Sequence, residues 1–168
     1  RNSFGYLQAG GGMTSVAIAN SVSGINSIEI DEGHNEIYLI EKVFASSPAK
    51  LHKFNVDTQT ISSGGTNWYP HNISNTAHAG HTATIGEDVK VYPIGTIPYL
   101  FYSWNDDTDG DVGMVQTYGV LTFDDDFMST TPSGAVASWL SKLYPHPMLN
   151  WGASGFLYIA DGRNLHQF

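Results

Sequence analysis

The sequence contains no cysteine. Disulfide frameworks, thiol nucleophiles and cysteine-based zinc sites are therefore excluded. Charge is scarce too: charged residues make up 14% of the 168, against roughly a quarter in typical soluble domains. Positive charge is scarcest, with 7 Lys and Arg against 16 Asp and Glu and a formal net charge of −9. So few cations are poor equipment for holding a phosphate backbone, and no nucleic-acid partner is expected. No apolar run approaches the length of about 18 residues that a membrane span needs, so none is expected. No G-x-S-x-G, P-loop or dinucleotide fingerprint occurs. Ser47-Pro48-Ala49-Lys50 matches S-x-x-K in form alone, because its companion motifs are missing and Pro48 spoils a helical display of Ser47 and Lys50. No catalytic activity is expected from these residues.

What is present points to β structure. The chain has 18 Gly, 9 Tyr, 8 Phe and 4 Trp, the balance of an aromatic, turn-rich β protein rather than a helical bundle. Its length suits one domain. The start at Arg1 and the stop at Phe168, inside the apolar stretch Leu165-His166-Gln167-Phe168, lead to the expectation of a portion of a longer chain. The composition, rich in Gly, Ser, Thr and Asn and poor in Lys, resembles that of phage or virion appendage proteins, which favours a virion or extracellular location. One sequon, Asn72-Ile73-Ser74, matters only in a glycosylating host.

Short apolar runs alternate with turn residues along the chain. Strands are expected at Ile28–Asp31, Ile37–Ile40, Leu51–Val56 and Thr60–Ser62, then at Val89–Ile94, Tyr99–Trp104, Val112–Tyr118 and Val120–Phe123, and finally at Phe156–Ala160 and Asn164–Phe168. Residues 1–12, with Gly10-Gly11-Gly12, read as a flexible or tight-turn segment. A polar loop is expected over 66–81. One helix is expected over 135–143, capped by Ser133, with Val136, Leu140 and Leu143 on one face and closed by Pro145 and Pro147.

The first and last blocks repeat each other. Glu36-Ile37-Tyr38-Leu39-Ile40-Glu41 lies over Phe156-Leu157-Tyr158-Ile159-Ala160-Asp161, and Lys50-Leu51-His52-Lys53-Phe54 lies over Asn164-Leu165-His166-Gln167-Phe168. Tyr99-Leu100-Phe101-Tyr102-Ser103-Trp104 takes the equivalent place in the middle. Ile37 to Leu100 is 63 residues and Leu100 to Leu157 is 57. A fixed period is the mark of a repeat architecture. These segments resemble the inner strands of β-propeller blades. The resemblance implies an all-β chain of four-stranded blades of antiparallel strands, here in blocks over 25–65, 84–131 and 146–168. It carries no activity. About three blades make an incomplete ring, since propellers usually have four to eight. The alternative fold is a β-sandwich in which two hairpins resemble each other by chance.

Three groups of residues have the types that chemistry needs. Asn105-Asp106-Asp107-Thr108-Asp109-Gly110-Asp111 matches the first half of a calcium loop, D/N-x-D-x-D-G. The expected Ca2+ ligands are Asn105, Asp107, Asp109, Asp111 and, at position twelve, Gln116 in place of the usual Glu. The competing account is a solvated acidic hairpin turn. His71, His78 and His81 have spacing that would let imidazoles share a metal, but no scaffold motif supports them and they read as loop residues. Asp124-Asp125-Asp126 reads as a solvated strand end. Trp68, Tyr69 and Trp104 are the candidate ligand-binding aromatics, suited to sugars or protein partners, against a competing role in core packing. His52 and His166, at equivalent repeat positions, read as structural.

The expected function follows from these features. It is a structural or interaction module whose partners are other protein subunits or the rest of the same propeller. The alternatives are a calcium-assisted carbohydrate-binding module that meets glycans, and a fragment of a propeller enzyme whose catalytic residues lie elsewhere.

Overall fold

The computed structural model describes residues 3–7, 13–17, 24–42, 48–62, 69–73, 85–106, 110–119, 121–125, 147–152 and 155–167. Among them the chain is all-β, with no helix. The helix expected over 135–143 lies outside the described residues. A two-stranded hairpin joins β1 (Ser3–Leu7) to β2 (Met13–Ala17), in the segment whose glycines suggest only a turn.

Three antiparallel sheets follow, each a simple meander. The first contains β3 (Gly24–Asp31), β4 (Glu36–Lys42), β5 (Lys50–Asn55) and β6 (Thr60–Ile61), with β7 (His71–Asn72) also paired to β5. The second contains β8 (Ile85–Ile94), β9 (Ile97–Asn105) and β10 (Gly110–Gln116). The third contains β11 (Met148–Trp151), β12 (Leu157–Ala160) and β13 (Leu165–Gln167). None of the three closes on itself. The strand expected over 120–123 is replaced, within its described residues, by irregular chain that makes a single bridge from Asp124 to Met114.

The sheets stack face to face. Residues directly opposite in an antiparallel pair share a face, so the registers assign every side chain. From the first sheet, Tyr38, Ile40 and Leu51 join Val89, Leu100, Tyr102, Trp104 and Val115 of the second in one core. From the opposite face of the second sheet, Phe101 and Val112 join Leu149, Leu157 and Ile159 of the third in another. The central strand β9 is thus buried on both faces, which is why Leu100–Trp104 is almost continuously apolar and aromatic, interrupted by Ser103 alone. The face of each sheet toward its predecessor is called here the rear face, and the other the forward face.

The three sheets are equivalent in register as well as in order. Leu39 faces His52 in the first, Tyr102 faces Gly113 in the second and Ile159 faces His166 in the third. All six occupy the rear face of their sheet. The opening strands repeat too. β3 is bulged between Ile25 and Ser27, and β8 between Gly86 and Asp88, at the same place relative to the central strand. Ser27 and Asp88 are 61 residues apart, and Asp88 and the equivalent Met148 are 148 − 88 = 60 apart.

The opening strands also lie side by side, β3 along β8 and β8 along β11. Asp88 fastens this edge. Its Oδ1 accepts from Ser27 Oγ at 2.6 Å and from its neighbour Val89 N at 2.9 Å. Its Oδ2 accepts from Leu149 N at 2.9 Å. One buried carboxylate therefore ties the first and third sheets to the second. Asn26, the bulge residue of β3, donates to the carbonyls of Gly86 and Glu87 at 2.9 and 3.1 Å. Ser103 Oγ donates to the Pro147 carbonyl across the next interface.

The middle sheet differs from the outer two for a steric reason. In the outer sheets a carboxylate and a histidine pair: Glu41 with His52 at 2.9 Å, and Asp161 with His166 at 3.0 Å. In the middle, Trp104 replaces the carboxylate and Gly113 the histidine. A Cβ on Gly113 would stand 2.2 Å from the Tyr102 ring. The Tyr102 ring fills that space, so the opposing position must lack a side chain.

Candidate ligand pocket between the first two sheets

Glu36 opens β4 and points its side chain forward, between the first two sheets. Opposite it in the sheet, Asp31 and Asn55 start the neighbouring turns. The Glu36 carboxylate is buried and accepts from three donors. Lys53 Nζ lies 3.1 Å from one oxygen, and the hydroxyls of Tyr38 and Tyr118 lie 2.7 and 3.3 Å from the other. The Lys53 ammonium also stands 5.6 Å from the Tyr69 ring centroid and 5.9 Å from that of Tyr118, within cation–π range of both. Beyond it, Tyr118 tilts against the His34 ring at 4.4 Å, and His34 bonds Asp31 at 2.8 Å.

These side chains border a pocket of about 230 Å³ lined by Lys53, Ser62, Tyr69, Thr117, Tyr118, Gly119 and Leu121. The Tyr69 hydroxyl is buried and has no hydrogen-bond partner among the described residues. Burial first, and then the Glu36 carboxylate and Tyr118, push it far above the ordinary tyrosine range. Burial, then Glu36 and Asp31, do the same to Tyr118. Both remain neutral hydroxyls at physiological pH. With Lys53 matched by Glu36, the pocket carries hydroxyls and ring faces without a strong net charge.

A second network lies deeper. Asp125 Oδ1 accepts from the Tyr102 hydroxyl at 2.5 Å and meets His71 Nε2 at 2.8 Å, while the Trp104 indole donates to the Asp125 carbonyl at 2.8 Å. His71 stacks on Phe123, with ring centroids 3.7 Å apart. Asp125 was expected at a solvated strand end. It is 9% exposed because its chain folds under the second sheet and carries it into the core.

The sequence-derived candidates scatter. Tyr69 reaches the pocket. Trp104 is fully buried in the core beneath it and offers no face to a ligand. Trp68 lies outside the described residues, as do His78 and His81. In the acidic loop, Asn105, Asp106 and Asp111 are buried where β9 and β10 meet, and Asn105 Nδ2 donates to the Asp106 carbonyl at 2.8 Å. Asp107 and Asp109 lie outside the described residues. Gln116 pairs with Tyr99 at the far end of the hairpin. Five residue steps along the strand, about 17 Å, separate it from Asp111, so the structure does not bring it to the loop. Among the described residues, no three His, Asp or Glu side chains form a group that would hold a metal ion, and no helix is long and apolar enough to cross a membrane.

Glu36, Lys53, Tyr118 and Asp88 escaped the sequence reading. The one available signal was the alternation in β4 and β5, which puts Glu36, Tyr38 and Lys53 on one face. Nothing local pointed to Tyr118 or to the role of Asp88. Compared with protein-family models, curated proteins and solved structures, the chain matches none.

Proposed function

We propose that the chain is a β-propeller-like structural module that takes part in a larger protein assembly. The observation that carries this is the repeated sense of the stack. Three meanders succeed one another with the same face turned to the predecessor, the same register and opening strands gathered side by side. Blades around an axis have this relation. A two-sheet sandwich instead pairs two inner faces across one core. Rigid packing by Trp104, Tyr38 and Phe101, and a carboxylate tying three sheets, suit a platform more than a moving catalyst. The test is the protein's state in its source. Recovery in fixed stoichiometry with neighbouring subunits supports the module. A free monomer in the native extract would overturn it.

The pocket favours a second reading, a carbohydrate-binding module. Aromatic faces beside neutral hydroxyls suit a sugar ring, and 230 Å³ suits a single small ring. A glycan array probed with and without calcium, using the protein and a Tyr118→Ala variant, tests it. Binding lost in the variant supports the reading, and an array without hits removes it.

A further inference from the structure

Two hydrogen-bond donors in the wall of the pocket between the first two sheets have capacity to spare. The Tyr69 hydroxyl is buried without a partner among the described residues, a costly state for a polar group unless something accepts its hydrogen. The Lys53 ammonium has three N–H groups, and among the described residues its one acceptor is Glu36, at 3.1 Å. The same ammonium stands 5.6 Å from the Tyr69 ring centroid, so the two donors are neighbours. The nearby groups leave them little to bond. Glu36 already accepts from Lys53, Tyr38 and Tyr118, and Thr117 gives its hydroxyl hydrogen to the Pro98 carbonyl at 3.1 Å.

A ligand for this pocket should therefore bring an acceptor, and charge decides which kind. Glu36 balances Lys53, so an incoming carboxylate would meet a second anion one side chain away and compete with it for the ammonium. A sugar hydroxyl accepts but also donates, and its own hydrogen would need a further partner. An amide carbonyl accepts and carries no charge. In an acetamido group that carbonyl is joined to a methyl and an N–H. Buried Leu121 gives the methyl an apolar wall, and Ser62, also at the pocket, has a hydroxyl able to accept the N–H. We propose that this pocket is the subsite for the acetamido group of a 2-acetamido sugar, with the Tyr69 hydroxyl and the Lys53 ammonium donating to its carbonyl oxygen. This deepens the carbohydrate reading above and rests on it. A volume of about 230 Å³ suits one sugar unit rather than a chain of them.

Titration followed by nuclear magnetic resonance tests the assignment. The probes are the methyl glycosides of N-acetylglucosamine and N-acetylgalactosamine, those of glucose, galactose and glucuronic acid, and N-methylacetamide. One of the two acetamido sugars should bind at least about tenfold more tightly than its 2-hydroxy parent. Tyr69→Phe keeps the ring and removes a hydroxyl that bonds nothing among the described residues. It should leave the melting temperature of the free protein unchanged or slightly raised. It should weaken the acetamido sugar about tenfold and change the parent sugar little. A fall in melting temperature would mean that the hydroxyl serves the fold, and would overturn the proposal. So would an acetamido affinity that Tyr69→Phe does not change. A 2-hydroxy sugar or glucuronide that binds as tightly as the acetamido sugars removes the acetamido subsite but leaves a sugar-binding module standing. N-methylacetamide binding as tightly as the sugars would make the pocket an amide site and overturn its assignment to a sugar. If none of the five sugars binds, the carbohydrate reading falls and this proposal falls with it.

Discussion

Ser27 donates its hydroxyl hydrogen to Asp88 across 2.6 Å, joining equivalent positions of two successive sheets. The same carboxylate receives Leu149 N of the third sheet. Replacing Asp88 by Ala leaves the buried Leu149 N–H and the half-buried Ser27 hydroxyl without their acceptor, at about 1–3 kcal/mol for each group. Asp88→Ala should therefore lower unfolding stability by about 2–5 kcal/mol. Ser27→Ala, which removes one donor and leaves the carboxylate its other partners, should cost nearer 1 kcal/mol. Urea denaturation of the three proteins checks the ranking.

Glu41 and His52 are both fully buried, and Glu41 Oε2 and His52 Nδ1 lack partners among the described residues. Such a pair is costly to break and cheap to replace whole. Glu41→Leu or His52→Leu alone should cost about 3–5 kcal/mol, while the double replacement should fall within about 1–2 kcal/mol of the parent. A double-mutant cycle in denaturant measures the coupling. Equal and additive losses would mean the pair contributes nothing as a unit.

Gly86 and Gly113 are both sites of close approach. A Cβ at Gly86 would meet the Glu41 carbonyl oxygen at 2.4 Å and the Ile40 side chain at 2.3 Å. At Gly113 it would meet the Tyr102 ring, which is held by its bond to Asp125. Neither neighbour is a free side-chain end. Gly86→Ala and Gly113→Ala should each destabilise by about 2–3 kcal/mol or more, by overpacking. Gly95→Ala, in open space but at a φ of 66°, should cost only its backbone strain, about 1 kcal/mol. Thermal melts of the three variants give the comparison.

Tyr38, Tyr69 and Tyr102 are held far above the tyrosine range, chiefly by burial, with Glu36 adding to the first two and Asp125 to the third. A pKa raised by folding gives stability that is whole below the unfolded value near 10 and is lost as pH rises beyond it. Stability should thus be flat on this account up to about pH 10, then fall by up to about 1.4 kcal/mol per pH unit for each of the three. Tyrosinate absorbance should show these hydroxyls titrating only as the chain unfolds. Early titration of all 9 tyrosines in a folded chain would contradict their burial.

Much of the fold was legible because strand period is a local property. Ile28–Asp31 and Ile37–Ile40 alternate or run apolar as half-buried and buried strands must, and they stand inside β3 and β4. A His–carboxylate contact is present in both the first and the third sheet, between Glu41 and His52 and between Asp161 and His166. β11 was missed because Met148-Leu149-Asn150-Trp151 is short and follows two prolines. Among the described residues, Tyr69 was the one ligand candidate to reach the pocket. Its companions there come from β5, from the residue after β6 and from the chain after β10, and no spacing connects them.

The sequence by itself determined the all-β class and most of the strands in the first two sheets, since each depends on the alternation of neighbouring side chains and on turn residues between them. It could not determine burial. Leu51 and Leu165 hold the same place in the same motif, yet one is fully buried and the other 70% exposed. The difference lies in whether another sheet stands in front. Likewise Asp88 became a tie between three sheets, and Trp104 a core residue, only when segments some 20 to 60 residues away closed around them. Contacts of that range are settled by how sheets pack, and only the tertiary structure decided them.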